Sequence, residues 1–275
     1  MNGIHILSTA PTCSKGKRFL PQFFEVESIL LSALLWRRFN GPIKLYTDDV
    51  GMDYLSSKGL EHAWDSIDVD TLNSIPKDID QTEFWAGAKL FALQAEPCPV
   101  AMVDTDLFVW KDVSRFCESR ALVTLHREDI IDCYPPPSGL HVPEGYAFED
   151  WMDWDVKPCN TAFAFFSDGS LKAFYTKEAI RFMKGNSGRS TYASSQMVFA
   201  EQRLLAMCAH EMRLEINTLI DEPYDLQNDI FTHLWGAKGI ARHSVVQRKR
   251  LEEALLLKIK ELSESTYIQL YSKFN

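Results

Sequence analysis

The chain has 275 residues, 46% hydrophobic and 24% charged, and a formal net charge of −9. That is the balance of a globular protein long enough to bury a sizeable core, and the acidic excess excludes a mainly nucleic-acid-binding role, which needs a basic surface. No run approaches the roughly 20 apolar residues that cross a bilayer, and the apolar start at Gly3–Leu7 gives way at once to Ser8-Thr9-Ala10-Pro11, too soon for a secretory core.

In chain order, Ile4–Ser8 reads as a first strand. From Pro21 to Phe39, the residues Phe24, Ile29, Leu31, Leu34 and Leu35 recur at helical spacing, and Gly41-Pro42 stops that helix. Ile43–Thr47 is a second strand, ending in Asp48-Asp49, with a short helix expected over Asp53–Lys58. A further helix is expected over Thr82–Ala95, entered through Asp80-Gln81-Thr82 and stopped by Pro97. Val100–Val103 is a buried strand that ends on Asp104-Thr105-Asp106. The second half is less regular. Strands are expected at Ala121–Leu125, Thr161–Phe166 and Arg213–Leu219, and helices at Ser170–Met183, Ser194–His210 and Val245–Tyr271. Arg127–Pro158 has no clear period, and loops of that length are usually functional or mobile. Alternating strands and helices predict an α/β, Rossmann-like fold with a mixed, mainly parallel sheet flanked by helices. No linker divides the chain. It is expected to be one domain, with a nucleotide-binding half over 1–126, an acceptor-side half over 127–243 and a C-terminal helix over 244–275.

The strongest chemical signal is Asp104-Thr105-Asp106 behind a buried strand and before a second apolar run, Leu107-Phe108-Val109. Two carboxylates so spaced can converge on one hard cation, Mg²⁺ or Mn²⁺, with substrate phosphates completing the shell. The alternative is a pair of solvated loop aspartates. With Ala88-Lys89-Leu90 before the strand and Leu107 through Asp112 after it, Phe84–Val113 resembles the core of GT-A glycosyltransferases, above all the glycogenin-like family. The resemblance implies a GT-A-like domain, a metal held by Asp104 and Asp106, and a donor contact from Lys89, which otherwise reads as a solvent-facing helix lysine.

His233-Leu234-Trp235-Gly236-Ala237-Lys238 is similar to that family's His-x-x-Gly-x-x-Lys segment. It implies that His233 is the third metal ligand and that Gly236 and Lys238 meet the donor diphosphate. Lys238 lies one residue closer to the glycine than the family has it, and the usual Pro-Trp is absent. Ser8, Thr9 and Asp48 sit where open α/β sheets bind ligands, though an aspartate there can equally be a helix cap. Thr105 and Asn160 complete the donor-side candidates, Asn160 through Cys159-Asn160-Thr161-Ala162-Phe163, which resembles the family's Asn-x-Gly segment.

For the acceptor, Trp151, Asp153 and Trp154 offer indole faces and a carboxylate suited to sugars, or else an acidic loop anchored by its tryptophans. Asp153, Asp155 and Glu201 are the candidates for a base, Glu201 reading first as a helix-face carboxylate. The implied activity is transfer of a sugar from a nucleotide-sugar, a UDP-sugar by family habit, to a carbohydrate or glycolipid hydroxyl. A non-catalytic nucleotide-sugar-binding or assembly protein is the alternative, and a haloacid-dehalogenase-like phosphatase fits the position of the pair poorly. The six cysteines (Cys13, Cys98, Cys117, Cys133, Cys159 and Cys208) show no CxxC pair and read as reduced thiols. A cytoplasmic protein is therefore expected. The terminal helix carries a broad apolar stripe that packs on the domain or makes a homo-oligomer or membrane-surface contact.

Overall fold

The computed structural model describes residues 1–190, 192–221 and 227–274. Its main sheet has seven strands in the order β3-β2-β1-β4-β7-β6-β8. These are β1 (Gly3–Leu7), β2 (Ile43–Thr47), β3 (Ser66–Asp68), β4 (Val100–Val103), β6 (Leu122–Thr124), β7 (Phe163–Phe166) and β8 (Ile216–Thr218). Every strand pairing is parallel except those of β7, which runs against both β4 and β6. A separate two-stranded ribbon joins β5 (Leu107–Val109) to β9 (Phe231–His233). The mixed, mainly parallel sheet flanked by helices is the fold class the alternation implies.

The helices with the largest part in the packing are α1 (Phe23–Phe39), α2 (Asp49–Lys58), α3 (Ala88–Ala95), α4 (Gly169–Met183), α5 (Leu204–Glu211), α6 (Trp235–His243), α7 (Val245–Leu262) and α8 (Glu264–Phe274). They cover both faces of the sheet. The period of two in the central strands divides their side chains accordingly. Val100, Met102, Ala164 and Phe166 join a core with α3, α4 and α5. Ala101, Val103, Phe163 and Phe165 join the opposite core with Trp36 of α1 and Leu255 and Ile259 of α7.

Several boundaries differ from the sequence reading for local reasons. Asp48 caps α2 through Gly51 N–H at 3.0 Å, so that helix starts at Asp49 rather than Asp53, and Gly59 ends it at φ +65°. Asp80 does receive the Thr82 and Glu83 N–H groups, but residues 82–87 run as tight turns and the helix proper begins at Ala88. The helix expected over Ser194–His210 contains one wide π-turn at Phe199–Arg203. The terminal helix breaks at Ser263, whose extended backbone (φ −154°) separates α7 from α8. The expected strands at 121–125, 161–166 and 213–219 are present in shortened form. Arg127–Pro158 is irregular apart from one 3₁₀ turn at Pro137–Gly139.

Helix α7 docks along α1, with Arg242 Nη2 2.6 Å from Glu25 Oε1 just before it and Arg248 Nη1 donating to Gln22 Oε1 at 3.3 Å. Within that docked face Glu27 is fully buried, and neither carboxylate oxygen has a hydrogen-bond partner among the described residues. Burial first, and then the Glu252 carboxylate, push its pKa from 4.5 up to about 9. The folded chain therefore holds a proton here that the unfolded chain has lost between those values. Stability that is full below about pH 4.5 falls as pH rises towards 9. Glu27→Gln removes this dependence. Denaturant unfolding should show it more stable than the wild type by about 4–5 kcal/mol near pH 8, and by under about 1 kcal/mol near pH 5.

Candidate metal and nucleotide site

Parallel strands β1, β2 and β4 place their carboxyl ends together, and with them Ser8-Thr9, Asp48 and Asp104-Thr105-Asp106. The chain reverses tightly after β4. Asp104 N–H donates to Ala162 O at 2.7 Å, and Leu107 N–H donates back to Asp104 O at 3.0 Å. The chain then enters β5, whose antiparallel register sets Leu107 opposite His233, and Leu234 N–H reaches Asp106 O at 3.1 Å. One ligand atom from each of Asp104, Asp106 and His233 lies within 4.8 Å of the others. Residues far apart in sequence thus form one cluster of two oxygen donors and one nitrogen donor.

Two ammonium groups attend the carboxylates. Lys238 Nζ is 2.6 Å from Asp106 Oδ2. Lys89 Nζ is 2.5 Å from Asp104 Oδ1 and 2.7 Å from Glu201 Oε1. Burial would raise the Asp106 pKa, but Lys238 and then His233 outweigh it and hold the carboxyl below its usual value. Burial would lower the Lys89 pKa, and Asp104 and Glu201 reverse that, so the group stays charged. For His233 burial wins over the aspartates and lowers the pKa, leaving a neutral imidazole able to ligate a metal. Lys89 is accordingly no solvent-facing helix lysine.

Glu201 lies in the π-turn before α5, almost fully buried, and accepts from Thr161 Oγ1 at 2.8 Å. Through Lys89 it is joined to the Asp104 cluster, unlike the other candidate bases. Asp153 faces His210 at 3.3 Å, and Asp155 is exposed. The sequence pattern marked Glu201 as a helix-face residue because a regular helix would not announce the π-turn.

A buried hydrogen-bond chain supports the Asp104–Leu107 turn from behind. Trp64 Nε1–H can only donate, and it donates to His5 Nδ1 at 3.2 Å. The remaining His5 proton is therefore on Nε2, 3.1 Å from Ser32 Oγ, which in turn donates to Leu107 O at 2.6 Å. Complete burial pushes the His5 pKa down to about 3, keeping the ring neutral. Neither His5 nor Ser32 carries a motif, so pattern alone could not find them.

The other candidates divide. Asp48 accepts Thr9 N–H at 2.6 Å and Thr9 Oγ1 at 2.8 Å besides capping α2, which makes it the clamp of this edge. Ser8 follows β1 and is half-buried, and Gly236 is exposed in the first turn of α6. Asn160 is tied to Glu128 at 2.7 Å and to its own loop through Ala162 N–H. Trp151 packs against Phe174, and Trp154 stacks on Phe199 with ring centroids 5.5 Å apart. These indole faces are occupied by the core, as in the loop-anchoring alternative.

Beside the cluster opens a cavity of about 430 Å³, bounded by Leu7, Thr12, Lys17, Arg18, Thr105, Asp106, Lys238 and Arg242 among others. Four cations around one opening stand out in a chain of net charge −9. Of these, Lys17, Arg18 and Arg242 were not among the sequence candidates. The run Lys15-Gly16-Lys17-Arg18 is the signal that could have found two of them.

The model of the family described as "Family of unknown function (DUF6734)" matches residues 11–274, and the chain belongs to that family. No curated protein matches the sequence. Among solved structures, the chain is similar to mouse xyloside xylosyltransferase 1 in its apo form, at 10% identity and a TM-score of 0.38, covering 80% of this chain and 85% of that one. It is also similar to the galactosyltransferase LgtC in complex with donor and acceptor sugar analogues, at 9% identity and a TM-score of 0.41, covering 85% and 86%. The PaToxG glycosyltransferase is similar at 10% identity and a TM-score of 0.37, covering 95% and 77%. Likenesses this distant transfer no activity, which rests on the side chains of this site.

Ser32→Ala would leave both the His5 Nε2–H and the Leu107 carbonyl without their partner. Two buried polar groups so stranded should lower the unfolding free energy by about 1–3 kcal/mol, read by denaturant titration.

Proposed function

We propose that this member of the DUF6734 family is a metal-dependent glycosyltransferase, moving a sugar from a nucleoside-diphosphate sugar to an acceptor hydroxyl. The observation that carries the reading is the convergence of Asp104, Asp106 and His233 at the edge of a cavity lined by Lys17, Arg18, Lys238 and Arg242. The donor set of two carboxylates and one neutral imidazole fits a divalent cation that also accepts phosphate oxygens, Mn²⁺ or Mg²⁺. His233 Nδ1 is buried without a partner among the described residues, so no second hydrogen bond competes for this ring. When bound, such a cation supplies Lewis-acid stabilisation of charge on the leaving diphosphate.

The chain's own residues do the rest. Lys238, already at the carboxylate of Asp106, supplies a positive charge where the departing phosphate gains negative charge. Arg242, Lys17 and Arg18 extend that field along the cavity, where a diphosphate and its nucleoside would lie. Thr105 and Thr12 add hydroxyls to the same wall. Lys89, held between Asp104 and Glu201, fixes the Asp104 carboxylate and keeps a charged group on the sugar side of the turn. The buried Glu201–Thr161 contact keeps that lysine in place. A UDP-sugar donor, a carbohydrate or glycolipid acceptor and a cytoplasmic setting complete the proposal. The family resemblance supports the donor and acceptor, and the absence of CxxC or zinc spacing among six free cysteines supports the setting.

Calorimetry with UDP, GDP and CDP, with and without Mn²⁺, tests this reading. One nucleotide should bind only with the metal, and Asp104→Ala and His233→Ala should each abolish that binding. Lys238→Ala should weaken it by about tenfold or more, the worth of one charged contact to phosphate. Absence of binding to any nucleotide would overturn the proposal. Binding without transfer or hydrolysis of any nucleotide-sugar would favour the non-catalytic alternative.

A further inference from the structure

The segment from Trp235 to Arg250 combines two features, of which the site uses only Lys238 and Arg242. It holds Lys238, Arg242, Arg248, Lys249 and Arg250 and not one carboxylate, in a chain whose carboxylates outnumber its Lys and Arg by 38 to 29. It also exposes large apolar side chains: Trp235 at 73%, Ile240 at 60%, Val245 at 58% and Val246 at 60%. Helix α7 is bound to the body through Leu255 and Ile259. Val246, Arg250, Glu253 and Leu257 recur at the spacing of a single, opposite face. Leu257 there is 57% exposed.

Arg242 and Arg248 are engaged with α1, at Glu25 and Gln22. Lys249 and Arg250 are exposed and form no ion pair among the described residues. Indole and aliphatic side chains interleaved with unpaired cations, on a helix with a buried opposite face, are the pattern of an interfacial helix. The missing carboxylates select the sign of the surface, because each basic group near an anionic bilayer is attracted while any acidic one would be repelled.

We propose that α6 and the first turns of α7 dock on an anionic phospholipid surface, with Trp235, Ile240 and Val246 entering the headgroup layer and Lys249 and Arg250 meeting lipid phosphates. Trp235 lies one helical turn from Lys238, which contacts Asp106, so docking brings the mouth of the site to headgroup level. The docking itself does not depend on the transferase reading.

The test is co-sedimentation of the full chain with vesicles, without nucleotide or metal, so that a failed donor site cannot affect the result. The wild type should sediment with vesicles of phosphatidylcholine and phosphatidylglycerol in equal parts, stay in solution with phosphatidylcholine alone, and be released by high salt. Lys249→Gln with Arg250→Gln should lower the partition coefficient by about 30-fold, and Trp235→Ser with Ile240→Ser should abolish binding. Circular dichroism and unchanged thermal unfolding check that both variants are folded. No sedimentation, equal sedimentation with both lipids, or variants that behave as wild type would overturn the proposal. So would a self-association, seen by sedimentation velocity and lost in the Trp235/Ile240 variant, since the same surface would then serve a second copy.

Discussion

The candidate site depends on one short antiparallel ribbon. The β5–β9 pairing sets Leu107 against His233 and so carries a histidine from the last third of the chain to the two aspartates that follow β4. The ribbon is not part of the main sheet. It hangs from the carboxyl edge and is packed from below by Phe108 and Phe231 in the core shared with α1 and α7. Its register is fixed because a slip of one residue would turn Phe231 out of that core and His233 away from the site. The C-terminal helices therefore have a role in the site. Through α1 and α7 they press on the ribbon that assembles it.

The same constraint explains what could be read from the sequence. Val100–Val103 was legible because a strand buried on both faces is apolar without alternation, and the DxD that follows it is visible as spelling. The pairing of that motif with His233 was legible only through a family resemblance, since nothing in Phe231-Thr232-His233 announces a partner so distant in sequence. Three-residue strands such as β3 and β5 carry too few side chains for a period of two to show. The π-turn was invisible for a related reason. Glu201 lies buried within that turn, while the hydrophobic pattern on either side stays helical. The indoles of Trp151 and Trp154 are the converse case. Their composition suggested sugar stacking, but each ring is already engaged by Phe174 or Phe199, and a tryptophan's neighbours cannot be read from its own segment.

Burial has been used in opposite senses at His5, behind the Asp104–Leu107 turn, and at Glu27, between α1 and α7. His5 is held neutral at any pH above about 3, and this neutrality lets it accept from Trp64 while donating to Ser32. A protonated ring would have to donate from both nitrogens, and the chain of hydrogen bonds to the Leu107 carbonyl would break. Glu27 is held neutral by protonation, and it gains no hydrogen bond for the burial. The first arrangement holds the Asp104–Leu107 turn from behind. The second only reduces stability as pH rises, and nothing in the structure accounts for a carboxyl at that position.

Three carboxylates, Asp104, Asp106 and Glu201, meet two ammonium groups, Lys89 and Lys238, at this cluster. Asp104 and Asp106 have ligand atoms within 4.8 Å, a distance at which two like charges repel by about 3–4 kcal/mol at an effective dielectric of about 20. Lys238 pairs with Asp106, and Lys89 is shared between Asp104 and Glu201, so the repulsion is offset with one formal negative charge left over. On the proposed reading, a divalent cation together with the doubly charged diphosphate of a nucleotide-sugar would add no net charge, so donor binding would not need to expel either lysine. On the same reading, the diphosphate would gain a further negative charge only as the bond to the sugar breaks. Lys238, with Arg242 behind it on the same helix, stands on the side of the cavity where that charge would develop. On the transferase reading, cations placed there would attract the departing diphosphate more strongly than the bound donor, and such a difference is the condition for catalysis rather than for tight binding alone.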